Sequence, residues 1–413
     1  MSFESSNLDV DFYHRPNTHT EIIQVGKGVP FGYEVVQNQA LGISGVYGAW
    51  GESVDNSALK EQLAHKLGDN LKASEVGELD ELGFTRRHIL PPLKEEEYLE
   101  LELEVGARLL TEAYQANGWK AEEVEGVIIG MSAPITEDYV DQICQRAKIP
   151  EDTLKVSVHK ACDGSVAGLH LALNPNISPK SIPNIAQKLF GKKVLIGGIE
   201  GLSRFLRFSK DVNALQLFGN GAGIIGVIPG INIKYLTGAT RAVFDEEGVL
   251  QVRMAYPHSR ETMLEMNEFE PNHIRVAGMM HEPQGDDPIS MAGMMGMVKL
   301  FIRNGVQIVT EVYNSYKLLL QERQIINKDI AVAIIHHANY KINKLKEKHL
   351  NNANIHFSMP WLVHDFGNVS AASNMIAFLR WLPNLKPTDH VLFDGFGAGT
   401  FYDALAVELT PNE

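Results

Sequence analysis

The chain has 413 residues, of which 44% are hydrophobic and 36 are glycine, so it can bury a core larger than that of an average single domain. Its formal net charge of −14 argues against general nucleic-acid binding, which depends on a basic surface. The two cysteines, Cys144 and Cys162, cannot form a disulfide framework and indicate a reducing compartment. Since no secretory signal pattern and no apolar run of membrane-spanning length occurs, we expect a cytoplasmic protein.

Residues 1–38 are polar overall but carry scattered large apolar side chains, among them Phe12, Ile22 and Phe31. Such side chains are costly in a purely disordered tail, so we expect this extension to be partly ordered. Two arrangements remain open, a flexible arm and an ordered flap on a partner subunit.

Helices and strands alternate from Leu41 onward. The pattern predicts helices over 99–116, 298–322, 338–350 and 370–381, and strands over 124–130, 156–161, 193–198, 222–229, 330–335 and 391–393. Periodicity alone therefore predicts an α/β protein with mostly parallel strands.

Cys162 stands where the strand over 156–161 gives way to the apolar run 166–173, which suits a buried helix. A thiol at a helix N-terminus meets unpaired backbone N–H groups and the positive end of the helix dipole, and we expect these to lower its pKa. A single cysteine is ordinarily an inert core residue, so its interpretation as a nucleophile depends on partners elsewhere in the chain.

Two later fragments supply such partners. His336 directly follows the apolar strand 330–335, and Asn368 follows a glycine and precedes the small residues 370–373. Taken one at a time, these two residues would be interpreted as a core histidine and a turn asparagine. Together, and each at the end of a strand, cysteine, histidine and asparagine can bind a thioester, transfer its acyl group and stabilise an enolate.

The segment 221–226 fits the dinucleotide pattern G-x-G-x-x-G, with acids about the expected distance further on. That pattern should open a helix, whereas the β-branched residues, proline and glycine that follow favour a strand. We therefore expect no nucleotide site, and glycines that let a strand pass close to a helix.

Three segments resemble the signatures of the ketoacyl synthase III branch of the thiolase superfamily: Lys-Ala-Cys-Asp-Gly at 160–164, His-His-Ala-Asn at 336–339 and Gly-Asn-Val-Ser-Ala-Ala-Ser at 367–373. Residues 83–89, 200–204, 217–223 and 394–401 match further family segments in the same order, and the resemblance runs from about Leu41 to the C-terminus. It implies the thiolase fold, with duplicated βα halves over 39–228 and 229–413 in a five-layer α-β-α-β-α sandwich.

The resemblance also implies roles for single residues. Cys162 would attack a thioester carbonyl and hold the acyl group, with its own backbone N–H and that of Ala398 forming the oxyanion hole. His336 and Asn368 would hydrogen-bond the thioester oxygen of the second substrate as it becomes an enolate. His337 occupies a position that is usually glutamine in the family.

Further roles concern the carrier and an additional base. Asn339 belongs to the histidine motif, and Lys341 stands where the family places an arginine near the phosphopantetheine or carrier phosphate. The helical run 341–349 is interpreted either as a solvated face or as a carrier-protein patch. Glu137 and Asp138 lie near the register of a glutamate that reaches across the dimer in related non-decarboxylating synthases, so they are candidate bases; a solvated loop acid is the alternative.

Two departures from the family suggest a specialised member. The segment 79–82 lacks the tryptophan and arginine that clamp the adenine of coenzyme A in fatty-acid-initiating members, and 279–297 is a methionine-rich insertion. The methionines are interpreted as adaptable core or as the wall of an acyl tunnel. His159, His170, His273 and His356 are interpreted as structural or surface groups, and their spacing predicts no metal site.

The resemblance implies an acyltransferase and homodimer that acts on coenzyme A or acyl-carrier thioesters and needs no cofactor. Within the branch, the chain looks most like the ketosynthase/cyclase enzymes of bacterial dialkylresorcinol and stilbene formation, which join a β-ketoacyl and an α,β-unsaturated acyl thioester into a cyclohexanedione. The alternatives are a decarboxylative synthase using a malonyl thioester, a thiolase, which would need a second cysteine near residue 398, and a non-catalytic partner subunit.

Overall fold

The computed structural model describes residues 18–68, 79–178, 180, 182–243, 248, 250–253, 264–278, 285–291 and 294–411. The strands within these ranges are β1 Thr18–Val25, β2 Val29–Asn38, β3 Ile43–Trp50, β4 Glu52–Asp55, β5 Arg86–Ile89, β6 Gly126–Gly130, β7 Leu154–His159, β8 Val194–Gly201, β9 Asn220–Val227, β10 Ile233–Ala242, β11 Leu250–Val252, β12 Leu264–Glu270, β13 His273–Gly278, β14 Ile289–Met291, β15 Ile330–Ile335, β16 His390–Gly397 and β17 Phe401–Leu409. The α-helices are α1 Asn56–Leu67, α2 Glu95–Ala116, α3 Tyr139–Arg146, α4 Gly164–Leu173, α5 Ile185–Leu189, α6 Ser203–Leu206, α7 Val212–Leu217, α8 Met294–Glu322, α9 Tyr340–Asn352 and α10 Ser373–Trp381.

Two sheets form the frame of the described residues. The larger has the strand order β1-β2-β3-β9-β8-β6-β7-β13-β12, and the smaller has the order β10-β17-β16-β15. Helices α4 and α10 pack against strands of both sheets, so they form a central layer between them. Helix α2 covers the outer face of the larger sheet and α8 that of the smaller sheet. The predicted five-layer α-β-α-β-α arrangement is confirmed.

The prediction of mostly parallel strands is wrong. Among the described strands only the pairs β6–β7, β6–β8, β7–β13 and β15–β16 are parallel. The connections from β1 to β2, from β2 to β3 and from β16 to β17 are only a few residues long. Because a parallel pair needs a crossover of a dozen or more residues, such short connections can only produce antiparallel pairs.

The central helices explain the small residues of the motifs. Every residue of α4 is buried, as expected for a helix enclosed by two sheets. A Cβ on Gly130 of β6 would lie 2.3 Å from the carbonyl carbon of Gly164, where α4 begins. A Cβ on Gly223 of β9 would lie 2.8 Å from the backbone nitrogen of Ile376 in α10. Residues 221–226 therefore lie in a strand that passes close to a helix, as predicted.

The described part of the N-terminal extension belongs to the larger sheet. Strands β1 and β2 form a hairpin, and β2 pairs with β3 from Phe31 to Asn38. Phe31 and Tyr33 are buried beneath it in contact with the cluster around Trp50. Phe12 and Tyr13 lie outside the described residues. From Thr18 onward the extension is thus an ordered part of this chain's own sheet.

Strand β7 has hydrogen-bonded neighbours on both sides, β6 and β13. The free edges of the larger sheet, among the described strands, are β1 and β12. Pairing of the larger sheet across a two-fold axis would therefore use β1 or β12, as far as the described strands are concerned. In the part of the chain that the structure describes, no helix is long and apolar enough to span a bilayer.

Candidate active site

Four residues predicted to act together line one small cavity. Cys162, His336, Asn368 and Ala398 surround a space of about 20 Å³ that is otherwise lined by apolar side chains. Each comes from the end of a different element: the turn after β7, the end of β15, the turn before α10 and the turn after β16. The carboxyl ends of β7, β15 and β16 therefore bring together residues that lie far apart in the sequence.

Cys162 lies in a 3-10 turn over Ala161–Asp163, and α4 begins directly afterwards. Burial raises the pKa of its thiol to about 12, and the hydroxyl of Ser370, which donates to Sγ at 3.2 Å, opposes this shift without overcoming it. The expectation of a lowered thiol pKa is therefore wrong for this state of the protein. Only 8% of Cys162 is exposed, so the loss of solvation outweighs the field of the helix terminus.

His336 presents a neutral imidazole to the cavity. Its backbone N–H donates to the carbonyl of Asp394 at 2.9 Å, which extends the pairing of β15 with β16 by one residue. The ring stands edge-on to Phe396 at 4.9 Å, and neither ring nitrogen has a hydrogen-bond partner among the described residues. Burial and the neighbouring His337 and Lys346 lower its pKa to about 3. A neutral ring donates from one nitrogen and accepts at the other.

Asn368 is held rigidly on the opposite side. Its side-chain oxygen accepts from the N–H of Ser370 at 2.8 Å, and its amide nitrogen donates to the carbonyl of Ala338 at 3.2 Å. Its backbone is hydrogen-bonded to Leu217 and Gly219. Since an amide carries two N–H donors, one stays available for a ligand oxygen.

The loop that contains Ala398 passes directly over the Cys162 turn. A Cβ on Gly397 would lie 2.3 Å from the carbonyl oxygen of Lys160 and 3.1 Å from the backbone nitrogen of Cys162, so only glycine fits there. This close approach brings the backbone of Ala398 to the same cavity as the thiol. Two backbone segments that meet in this way can present N–H groups to one oxygen.

The candidate carrier residues lie on α9, outside the cavity. Asn339 is buried and its side chain caps the helix, accepting from the N–H of Ile342 at 2.9 Å. The half-exposed ammonium of Lys341 forms an ion pair with Glu81, in the segment that lacks the family's adenine clamp.

The interpretation of Lys346 as part of a solvated face or carrier patch is wrong. Lys346 is fully buried and forms an ion pair with Asp394, and its ammonium lies over the ring of Phe396 at 4.9 Å. Ile342, Lys346 and Leu350 form the buried stripe of α9. Their spacing of four residues was a signal in the sequence that one lysine points inward.

Glu137 and Asp138 do not reach the cavity of their own chain. Arg275 of β13 donates to the Glu137 carboxylate at 2.7 Å, and Gln142 donates to Asp138 at 2.9 Å. The two acids thus act in structural contacts around α3 within the described chain. Met291 lines the cavity, whereas Met279 and Met280 lie outside the described residues.

Two buried polar groups were not anticipated. Lys160, Asp163, Asp403 and His170 form a charge cluster behind Cys162, with Lys160 3.3 Å from Asp163 and His170 2.7 Å from Asp403. Ser132, Glu200 and Ser370 form a hydrogen-bonded group that reaches the sulfur. In the sequence, the second group could have been inferred from Glu200, which is an acid inside the apolar strand 194–201.

The lone histidines behave as structural or surface groups. His170 contacts Asp403, His273 lies between Asp141 and Ser157, and His356 bonds Asn351 at the surface. These contacts account for the positions of His170, His273 and His356.

Comparisons with known proteins agree with this geometry. Residues 320–409 match the family described as 3-oxoacyl-[acyl-carrier-protein] synthase III, C-terminal. The chain is 24% identical over 337 residues to beta-ketoacyl-[acyl-carrier-protein] synthase III 2 of Lactiplantibacillus plantarum, covering 79% of this chain and 88% of that protein.

Solved structures show the same fold. The 3-oxoacyl-[acyl-carrier-protein] synthase III of Aquifex aeolicus has a TM-score of 0.59 and 18% identity, covering 94% of this chain and all of the other. A type III polyketide synthase domain from Dictyostelium has a TM-score of 0.60 and 17% identity, covering 90% and 99%. The chain therefore has the thiolase fold of these enzymes.

Proposed function

We propose that this enzyme forms a carbon–carbon bond between two acyl thioesters, with Cys162 as the acyl carrier and with His336 and Asn368 as the groups that stabilise the enolate. The observation that carries the proposal is the convergence of these three side chains on one cavity of about 20 Å³. The ends of β7 and β15 and the turn before α10 place them there, which a chance arrangement of core residues would not explain.

The first half-reaction transfers an acyl group. The Cys162 sulfur attacks the thioester carbonyl, the donor's carbon–sulfur bond breaks, and the donor leaves as a thiolate that takes a proton from solvent. The carbonyl oxygen becomes negatively charged in the tetrahedral intermediate, where the N–H groups of Cys162 and Ala398 would donate to it. Water is excluded because the apolar walls leave only 8% of Cys162 exposed.

The second half-reaction needs a carbanion. A neutral imidazole N–H of His336 and the amide of Asn368 donate to the thioester oxygen of the second substrate, so negative charge can leave the carbon and settle on that oxygen. The lowered pKa of His336 favours this role, since the ring is a hydrogen-bond donor without a net charge at neutral pH. The enolate carbon then attacks the acyl group on Cys162, whose carbon–sulfur bond breaks and releases the Cys162 thiolate.

The product we favour is a cyclohexanedione made from a β-ketoacyl and an α,β-unsaturated acyl thioester. The segment 79–82 has no adenine clamp, and Glu81 pairs with Lys341 there. Met291 supplies a flexible wall to the cavity, which is too small for an acyl chain until its lining moves. The reaction needs no cofactor, draws on carrier-protein or coenzyme A thioesters, and takes place in the cytoplasm as a homodimer. Decarboxylation of a malonyl thioester on the same three residues is the second candidate.

Feeding malonyl, β-ketoacyl and enoyl thioesters singly and in pairs distinguishes these routes. Carbon dioxide release from the malonyl thioester alone would refute the cyclase and support the decarboxylative synthase. A six-membered diketone formed only from the β-ketoacyl and enoyl pair supports the cyclase. No mass increase on Cys162 with any of the three would refute the condensing function itself and leave a non-catalytic partner subunit.

A further inference from the structure

A continuous chain of hydrogen bonds leads from the Cys162 sulfur into the protein. The Ser370 hydroxyl lies 3.2 Å from Sγ, the Ser132 hydroxyl lies 2.6 Å from that of Ser370, and the Ser132 hydroxyl lies 2.8 Å from Oε1 of Glu200. All four residues are buried. Hydroxyl groups at these distances can pass a proton along the chain, because each both donates and accepts.

Glu200 lies at the far end of this chain, inside strand β8. Its Oε1 also accepts from the backbone N–H groups of Ser132 at 2.8 Å and Ala371 at 3.1 Å. Burial raises the pKa of this carboxyl to about 7 in spite of these bonds. The titratable groups that sense its charge are Cys162 and Tyr139, and the charge raises the pKa of both.

The alternative acceptor inside the cavity is less suitable. His336 makes no hydrogen bond to Cys162, and neither of its ring nitrogens has a partner among the described residues. Its lowered pKa of about 3 makes it a much weaker base than a carboxyl with a pKa of about 7. Hydrogen bonds therefore link the sulfur to the stronger base, Glu200, whereas no hydrogen bond links it to the weaker base, His336.

We infer that Glu200 accepts the proton of the Cys162 thiol through the hydroxyls of Ser370 and Ser132. The S–H bond breaks and its proton goes to Ser370 Oγ; the Ser370 hydroxyl proton goes to Ser132 Oγ; the Ser132 proton goes to Glu200 Oε1. The result is a thiolate, two intact hydroxyls and a neutral carboxylic acid. The proton returns along the same chain when the condensation releases Cys162 from the acyl group. This inference rests on the proposed function of Cys162 as the nucleophile.

The chain also explains how a thiol with so high a pKa can react. The negative charge of Glu200 is one cause of the raised pKa of Cys162. Protonation of Glu200 removes that charge at the moment at which the thiolate forms. The charge thus moves from the carboxylate to the sulfur, and the buried region keeps a single negative charge throughout.

The test compares Glu200→Gln with Glu102→Gln. Glu102 is a matched control, because it is also fully buried with a pKa raised to about 7, but it faces Arg204 at 3.7 Å and is not linked to Cys162. Intact-mass spectrometry would follow alkylation of Cys162 by iodoacetamide, and acylation by an acyl-coenzyme A, from pH 5 to 10. The glutamine oxygen can still accept from Ser132 and Ala371, so the variant should fold.

In the wild type we expect the rates to rise through a titration near pH 7. Glu200→Gln should remove this step and lower both rates on the order of 100-fold at pH 8. Glu102→Gln and Glu200→Asp should keep the step. Ser370→Ala, which removes only a hydroxyl, should also lose the titration step. The double variant Ser370→Ala/Glu200→Gln should react no more slowly than either single variant. If Glu200→Gln does not fold, Ser370→Ala tests the inference alone.

The inference is overturned if Glu200→Gln keeps the wild-type pH profile, or if Glu102→Gln loses the step equally. These results are separable from failure of the proposed function. A wild type that is never acylated refutes the acyl carrier role of Cys162, while the alkylation profiles still decide whether Glu200 takes the proton. A wild type that is acylated with no effect of Glu200→Gln refutes the relay alone.

Discussion

Lys346 and Asp394 form an ion pair in which both residues are 0% exposed, directly behind the ring of Phe396 that supports His336. Burial lowers the pKa of Lys346 and raises that of Asp394, and in both residues burial outweighs the attraction between the charges. Removing one member would therefore leave an uncompensated buried charge, whereas removing both would not.

Removing one member of this pair should be costly. We expect Lys346→Met and Asp394→Leu each to lower the free energy of unfolding by about 3–5 kcal/mol, because each leaves an unpaired buried charge. The double variant should recover most of that loss. Urea denaturation measures the effect, and Lys344→Met, which breaks the surface pair with Glu347, should cost less than about 1 kcal/mol. A double variant as unstable as the sum of the singles would contradict the prediction.

The nucleophile prediction uses the second cysteine as its control. Cys162→Ala should abolish acyl-enzyme formation while leaving the thermal unfolding temperature nearly unchanged, since only a small buried sulfur is lost. Cys144 is also buried with a pKa raised to about 12, but it lies in α3 away from the cavity. Cys144→Ala should therefore be acylated at the wild-type rate. Acylation of the Cys162→Ala protein, measured by intact mass, would refute the assignment.

The two buried histidines predict a pH dependence of stability. Burial lowers the pKa of His336 and that of His337 to about 3, from an ordinary value of 6.5. Between pH 6.5 and 3 the unfolded chain binds more protons than the folded one, so the free energy of unfolding decreases as the pH falls. Each histidine contributes up to about 1.4 kcal/mol per pH unit in this range.

We expect His336→Gln to make this slope shallower in urea denaturation at several pH values below 6.5. His356→Gln is the control, because His356 is exposed and bonds only to Asn351. The same slope in wild type and His336→Gln would show that His336 is protonated in the folded protein.

The ion pair of Lys341 with Glu81 predicts opposite effects on substrate binding. If Lys341 binds a pantetheine or carrier phosphate, Lys341→Ala should raise KM for the thioester several-fold with little change in kcat. Glu81→Gln should lower KM, because it releases the ammonium from its present partner. Lys344→Ala on the same helix is the control. Equal KM values for wild type and Lys341→Ala would exclude the phosphate role.

A homodimer of roughly twice 45.8 kDa is expected from sedimentation at micromolar concentration. Because β7 is paired on both sides, pairing of the two larger sheets between subunits would involve β1 or β12, the free edges of that sheet among the described strands. Amide hydrogen exchange should then show protection of one of these edge strands that increases with protein concentration. A monomer at micromolar concentration would refute the dimer.

Local patterns in the sequence were enough to predict the strand that ends before His336, the helix that follows Cys162 and the four residues that line the cavity. An apolar strand that ends at His336, and a strand-to-helix change at Cys162, are properties of short segments, and they depend on hydrogen bonding and side-chain periodicity within a few residues. The order of these motifs along the chain carried the resemblance to the family and, with it, the five-layer fold.

The tertiary structure decided what depends on neighbours far away in the chain. The pKa of Cys162 follows from burial between two sheets, the inward direction of Lys346 follows from Asp394, and the contact of Glu137 with Arg275 follows from the position of β13. The hydrogen-bond chain from Cys162 to Glu200 joins residues from four separate segments. Desolvation and charge pairing depend on the whole environment of a group, so no local pattern around Cys162 or Lys346 could predict them.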